Sequence, residues 1–313
     1  MRSRTTAIGL AVIAAAAALL LAAFRVGEEP GALSNWQALV LGLVQGATEL
    51  LPISSSGHLI LVPWLAEWQY LIEDDRFNQT FDVALHVGTL LAVVAFFRHD
   101  IARLAAAFWG SLRRRRIEGA DERIAWFIAA ATVPAAIIGA LGEELIADNL
   151  GEPWQIAILL AVFGVLLWIA DRQPQTRHID QLTLGRSFAV GLAQTLALAP
   201  GVSRSGITIT MGRFLGLDRD SAARFSFLLL VPITLGAVLW KGLTDMVLGD
   251  LPPGSTGPFI VGTIASAVSG FAAIVFLLGY VRRHDYTIFV VYRLIVAAIV
   301  LLLIATGARS SGF

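Results

Sequence analysis

Two stretches hold the groups that can do chemistry in a chain otherwise built of hydrocarbon: GLVQGATELLPISSSGH at residues 42–58 and PGVSRSGIT at 200–208. In the first, Gln45 and Glu49 are four residues apart and share one helical face. Burying a carboxylate at membrane depth costs about 2.5–3.5 kcal/mol on insertion scales, so Glu49 needs a partner or a task. Pro52 ends the helix, and Ser54, Ser55, Ser56 and Gly57 follow as a turn of hydroxyls and freed N–H groups, a cradle suited to an anion. The same serines can cap the next helix. His58, just beyond the turn, can serve as base, nucleophile or proton donor. The second stretch places Arg204 between Ser203 and Ser205, with Gly201 and Gly206 on either side and Thr208 one turn on. A guanidinium is permanently charged and forks onto phosphate oxygens. Together these are the parts for phosphoryl transfer from a lipid phosphate. Arg204 and backbone dipoles would bind the phosphates, Ser55 or His58 would attack or activate water, and Glu49 would act as general base or hold a divalent cation.

Other polar residues carry less. His86, in FDVALHVGTL, reads as a packing or hydrogen-bonding residue, and Asp82, one turn before it, as a solvated boundary acid. Arg293, in VVYRLIVAAIV, is explained by snorkelling to the inner surface, and the SLRRRR run at 111–116 by topology and attraction to anionic lipid.

The elements that position these groups are membrane helices. The chain is 57% hydrophobic and 15% charged, with a mean hydropathy of +0.74, which excludes an ordinary soluble domain. Its net charge of zero gives no field for nucleic acid, and the absence of cysteine excludes disulfides, thiol nucleophiles and Cys-ligated metals. Seven apolar stretches are long enough to span, near 6–24, 80–97, 124–141, 153–170, 222–240, 258–280 and 286–306. The first, in an extra segment over 1–30, reads as an uncleaved anchor in preference to a signal peptide. The two chemical stretches are broken by Pro, Gly and hydroxyl residues and read as re-entrant helix-loop-helix hairpins. With that arrangement the inside loops hold 17 of the 23 basic residues.

Shifted by 149 residues, 42–57 lies over 191–206 with six identities in sixteen positions, Gly42/Gly191, Leu43/Leu192, Gln45/Gln194, Ser54/Ser203, Ser56/Ser205 and Gly57/Gly206. Three spans separate the hairpins and three follow the second, so the copies would enter from opposite faces. The expected fold is therefore an all-α integral membrane protein. Its single membrane domain, 31–313, consists of two inverted-topology repeats, about 36–171 and 187–306, each of three transmembrane helices and one re-entrant hairpin. Such repeats put a ligand site near the midplane.

At these residues the chain resembles the bacterial undecaprenyl-diphosphate phosphatases of the bacitracin-resistance type. That family carries a Glu or Gln four residues before a Glu, then PxSSxGH, here Gln45, Glu49, Pro52, Ser54, Ser55, Gly57 and His58. It also carries PGxSRSxxT, here Pro200, Gly201, Ser203, Arg204, Ser205 and Thr208. The segments FDVALHVGTLLAV and FSFLLLVPITLGA are similar too, and the likeness runs from about residue 36 to the C-terminus. It implies hydrolysis of undecaprenyl diphosphate to undecaprenyl phosphate and inorganic phosphate, recycling the carrier for peptidoglycan and other envelope polymers and giving bacitracin resistance. It implies a multi-pass protein of the bacterial inner membrane whose site opens to the periplasm, with lipids as partners, no nucleic acid, and a homodimer left open. Carried over by position, Glu49, Ser55, His58 and Arg204 would be catalytic. Gln45, Ser54, Ser56, Gly57, Gly201, Ser203, Ser205 and Thr208 would bind substrate. A divalent metal, Mg²⁺ or Ca²⁺, would sit at Glu49. Gln45 is the uncharged variant of its position, so a mechanism needing two carboxylates there is in doubt.

The runner-up is a carrier that flips the polyprenyl phosphate, since inverted repeats around an anion site suit a transporter equally well. Glu49 beside His58 favours chemistry. Acid-phosphatase-like lipid phosphatases require a histidine where Thr210 stands, and intramembrane serine proteolysis has no use for a buried arginine.

Overall fold

A computed structural model describes residues 33–68, 75–241 and 255–311, and within them the regular structure is entirely helical. The N-terminal stretch 6–24 lies outside the described residues. Helix α1 (Asn35–Leu50) opens on a capping box in which the Ser34 hydroxyl accepts from the Gln37 N–H and the Gln37 amide oxygen accepts from the Ser34 N–H. It ends ahead of Pro52, and α2 (Ser55–Ala66) begins at once. Then come α3 (Asp75–Phe96), α4 (Arg98–Arg114), α5 (Ala120–Asn149) and α6 (Pro153–Asp171). The second half runs α7 (Leu184–Gln194), a 3₁₀ turn (Thr195–Leu198), α8 (Arg204–Phe214), α9 (Arg219–Lys241), α10 (Thr256–Tyr280) and α11 (Thr287–Ala305).

Five segments are long and apolar enough to cross a membrane, Ala120–Gly142, Pro153–Asp171, Arg219–Trp240, Thr256–Tyr280 and Thr287–Ala305. A sixth arises if Thr80–Phe96 is joined to Arg98–Arg114, from which it bends by 86°. Their outward faces expose residues such as Ile137, Leu141, Val275 and Leu302, as expected of helices solvated by lipid. The protein is thus a multi-pass membrane protein. The expected inside loop that carries the SLRRRR run is mostly helix α4, because IARLAAAFWGSL contains no helix breaker beyond one glycine. The Trp126 indole N–H donates to Ser111 at 2.9 Å and ties α4 to α5.

The two hairpins break in the same way. Ser54 (φ 78°) and Ser203 (φ 76°) are both non-glycine residues at positive φ, and each accepts a bond from an N–H three residues on, Gly57 at 3.4 Å and Gly206 at 3.0 Å. Each hairpin also docks through a glycine at matching positions. A Cβ on Gly42 would lie 2.4 Å from the Gly262 oxygen on α10, and a Cβ on Gly191 would lie 2.3 Å from the Ala131 oxygen on α5. Where no hydrophobic force separates helix from lipid, such close backbone approach is what holds helices together.

The far ends of the hairpins lie at opposite ends of α11. At its N-terminal end the Asp171 carboxylate accepts from Arg213, at the end of α8, from Arg219 at 2.7 and 3.1 Å, and from the Tyr286 N–H at 3.0 Å. Beyond its C-terminal end Arg309 pairs with Glu67, which caps α2. The 19 residues of α11 separate the two clusters by about 28 Å.

Candidate active site

The last turns of α1 aim Gln45 and Glu49 into the space between the two breaks. Glu49 is 5% exposed and is surrounded on both oxygens. Oε1 accepts from Arg204 twice, from Nη2 at 2.7 Å and Nε at 3.2 Å. Oε2 accepts from the Ser55 hydroxyl in a close contact and from the Gln45 amide at 3.3 Å, and the His86 Nε2 on α3 lies 3.7 Å away. A buried charge paired and hydrogen-bonded on every side is what membrane burial demands. Three of the four residues expected to be catalytic therefore meet, across 155 positions of sequence in the case of Glu49 and Arg204.

His58, the fourth, takes a different position. Its Nδ1 lies 2.6 Å from the Ser54 carbonyl oxygen, and its Nε2 lies 2.8 Å from the Tyr292 hydroxyl on α11. Both ring nitrogens are thus engaged away from Glu49 and Ser55.

The loops are laced to each other. The Gly201 N–H donates to Ser54 Oγ at 3.1 Å, and Ser205 Oγ donates to the Leu51 carbonyl at 3.0 Å. Ser203 Oγ lies 3.2 Å from Ser205 Oγ, and half-buried Ser56 is 3.5 Å from Ser54 Oγ. Thr208 Oγ1 donates to the Arg204 carbonyl at 2.8 Å and lies 2.7 Å from Ser226 Oγ on α9. The Gln45 oxygen is buried and has no hydrogen-bond partner among the described residues.

Arg293 does not snorkel. It is fully buried, and its fork donates to Leu160 O at 2.9 Å, Pro52 O at 3.2 Å, Gly201 O at 2.9 Å and Val202 O at 3.1 Å. Broken helices free carbonyl oxygens that water would otherwise satisfy, and a five-donor guanidinium replaces the water. One side chain thereby fixes both breaks. Reading the sequence also undervalued His86, Tyr292 and Ser226. For Arg293 the cue was present, a cation seven residues into a 19-residue apolar helix. For Tyr292 and Ser226 no local pattern distinguishes them from packing residues.

Fold and site together define a polytopic membrane protein with a buried carboxylate and hydroxyl and a partly buried guanidinium gathered between two helix breaks. The profile described as "Bacitracin resistance protein BacA" matches residues 38–299, and the chain belongs to that family. A protein of Pelotomaculum thermopropionicum named undecaprenyl-diphosphatase is 45% identical over 280 residues, covering 89% of this chain and 99% of its own. Proteins of the same name from Gemmatimonas aurantiaca (45%, 87% of this chain and 98% of theirs) and Geobacter sulfurreducens (47%, 84% and 96%) are similar over nearly the same span.

Proposed function

We propose that the protein hydrolyses undecaprenyl diphosphate to undecaprenyl phosphate and inorganic phosphate, as the names of its relatives indicate for them. The observation that carries the reading is the Glu49–Ser55–Arg204 contact, in which one carboxylate holds both a hydroxyl and a guanidinium. Glu49 takes the Ser55 proton as Oγ attacks the terminal phosphorus. A Ser55 O–P bond forms, the bridging P–O bond breaks, and undecaprenyl phosphate departs as an anion. Water then cleaves the phosphoserine and frees inorganic phosphate. Arg204 is already placed where charge develops on the phosphoryl oxygens, so little reorganisation is required during reaction. Ser54, Ser203 and Ser205 keep the breaks in register, while Ser56, Gly57, Gly201 and Thr208 complete the cradle around the headgroup.

A divalent cation, Mg²⁺ or Ca²⁺, belongs to the same proposal. Among the described residues no three His, Cys, Asp or Glu side chains cluster. Glu49, the unpartnered oxygen of Gln45 and Ser55 Oγ form a small all-oxygen set of the kind such ions accept alongside substrate phosphates. When bound, the ion would neutralise diphosphate charge.

The inverted repeat is part of the reading as well. Its support is the matched Ser54 and Ser203 conformations, the exchange of Gly42 onto α10 and Gly191 onto α5, and the opposite ends of α11 at which α2 and α8 finish. In the same reading the α8 end lies in the cytoplasm and the first hairpin opens to the periplasm of an inner membrane, which the arginine-rich connections support. Purified protein given undecaprenyl diphosphate should release phosphate, and a preparation that moves the lipid but frees no phosphate would identify a carrier instead.

A further inference from the structure

His58 is held by two bonds whose chemistry fixes where its proton sits. A carbonyl oxygen can only accept, so the 2.6 Å contact with Ser54 O places a hydrogen on Nδ1. In the neutral ring Nε2 is then a bare lone pair, and the atom it meets at 2.8 Å is the Tyr292 hydroxyl. The two rings are nearly parallel, 13° apart with centroids 5.6 Å apart. His58 is 6% exposed, so water does not compete for either nitrogen. A neighbouring charge is Arg293, next to Tyr292 on α11, and its donors are occupied by main-chain carbonyls of both breaks and of α6.

The geometry points to Tyr292 as a positioning residue for the hydrolysis: the Ser54 carbonyl sets the Nδ1–H tautomer of His58, and the Tyr292 hydroxyl, bonded to Nε2, holds the orientation of the ring. This rests on the reading of His58 as a residue needed for turnover. A tyrosine hydroxyl suits the task because it can donate to a lone pair and accept from an N–H. His58 can therefore gain and lose a proton at Nε2 and keep the same two neighbours and the same orientation. A lysine or an indole could only donate there, and a carbonyl could only accept. Labour in the site is divided accordingly. Glu49 handles the Ser55 hydroxyl, and His58, held between Ser54 and Tyr292, takes no part in that transfer.

The test is Tyr292→Phe in the full chain, which keeps the stacked ring and removes only the hydroxyl. Steady-state hydrolysis of undecaprenyl diphosphate and ¹⁵N-histidine spectra are compared with wild type, the His58 resonances being assigned by their loss in His58→Gln. Wild type should show Nδ1 protonated and Nε2 bare. The variant should keep the Nδ1–H tautomer, shift the Nε2 resonance as its hydrogen bond is lost, and lose about tenfold in kcat with KM unchanged. Wild-type kcat in the variant overturns the inference. A raised KM with unchanged kcat overturns it too, by showing a structural role. His58→Gln separates the two readings. Normal turnover there removes His58 from the chemistry, whereas lost turnover there alongside an unaffected Tyr292→Phe removes Tyr292 alone.

Discussion

The two hairpins share a backbone and differ in the ionisable groups they carry. At the shift of 149, Ser54 and Ser203 adopt the same positive-φ conformation and cap the following helix in the same manner. Yet Glu49 faces Leu198, Ser55 faces Arg204 and His58 faces Ile207 in that alignment. The carboxylate, hydroxyl and imidazole all lie on one copy and the guanidinium on the other. Two helix breaks of the same local geometry come together, and only their different side chains turn them into a charge-complementary site. Like charges at matching positions would repel at close range, so the asymmetry is also what lets the breaks approach.

The contrast is broken most severely by Arg204→Ala. That substitution should abolish phosphate release and lipid binding together, by roughly a thousandfold in kcat/KM, because it removes the charge that meets the phosphates and leaves Glu49 buried alone. Turnover and binding assays would read both effects, and normal values for either would end the proposed role. Ser55→Ala should reduce kcat by a similar factor and leave KM within about twofold, the pattern expected when a nucleophile is lost but the cradle remains. Retained turnover would transfer the attack to water.

Smaller effects sharpen the shared part of the comparison. Arg293→Met should lower the unfolding free energy by about 3 kcal/mol, since several buried carbonyls in both breaks lose their donors at once. Thermal unfolding would measure it, and a loss confined to one hairpin in hydrogen exchange would refute the idea that this residue joins them. Gly42→Ala and Gly191→Ala should each destabilise by about 1–3 kcal/mol, because the new methyl meets a backbone oxygen on α10 or α5. Unequal effects would show that the docking is less symmetric than the geometry.

The smallest expected effect lies outside the membrane, at Asp218. Burial would raise its pKa, but the Ser221 N–H and hydroxyl and His178 outweigh burial and hold it below the usual carboxylate range. A depressed folded-state pKa stabilises above the unfolded value, and that contribution is lost as pH falls through the folded one. Asp218→Asn should lower the unfolding midpoint at pH 7 by about 2 °C, and the difference should vanish in acid.

Much of this was legible before any coordinates. The spans expected near 153–170, 222–240, 258–280 and 286–306 fall on α6, α9, α10 and α11 with boundaries within a few residues. Proline and glycine announced both breaks, since those residues withdraw a donor or permit a turn whatever surrounds them. Helix α4 was missed because its arginines read as a loop when judged by charge alone.

Composition and spacing determined that the chain lives in a membrane, where its helices fail, and which groups stand at the failures, because hydropathy and backbone constraint act locally. Only the tertiary structure decided that Glu49 meets Arg204, that Arg293 turns inward, and that Tyr292 reaches His58 from the far end of the chain. An apolar helix face looks the same in sequence whether lipid or protein covers it, so side-chain patterns cannot say which way α11 is rotated. That rotation follows from close packing and from the carbonyls of two broken helices needing a donor.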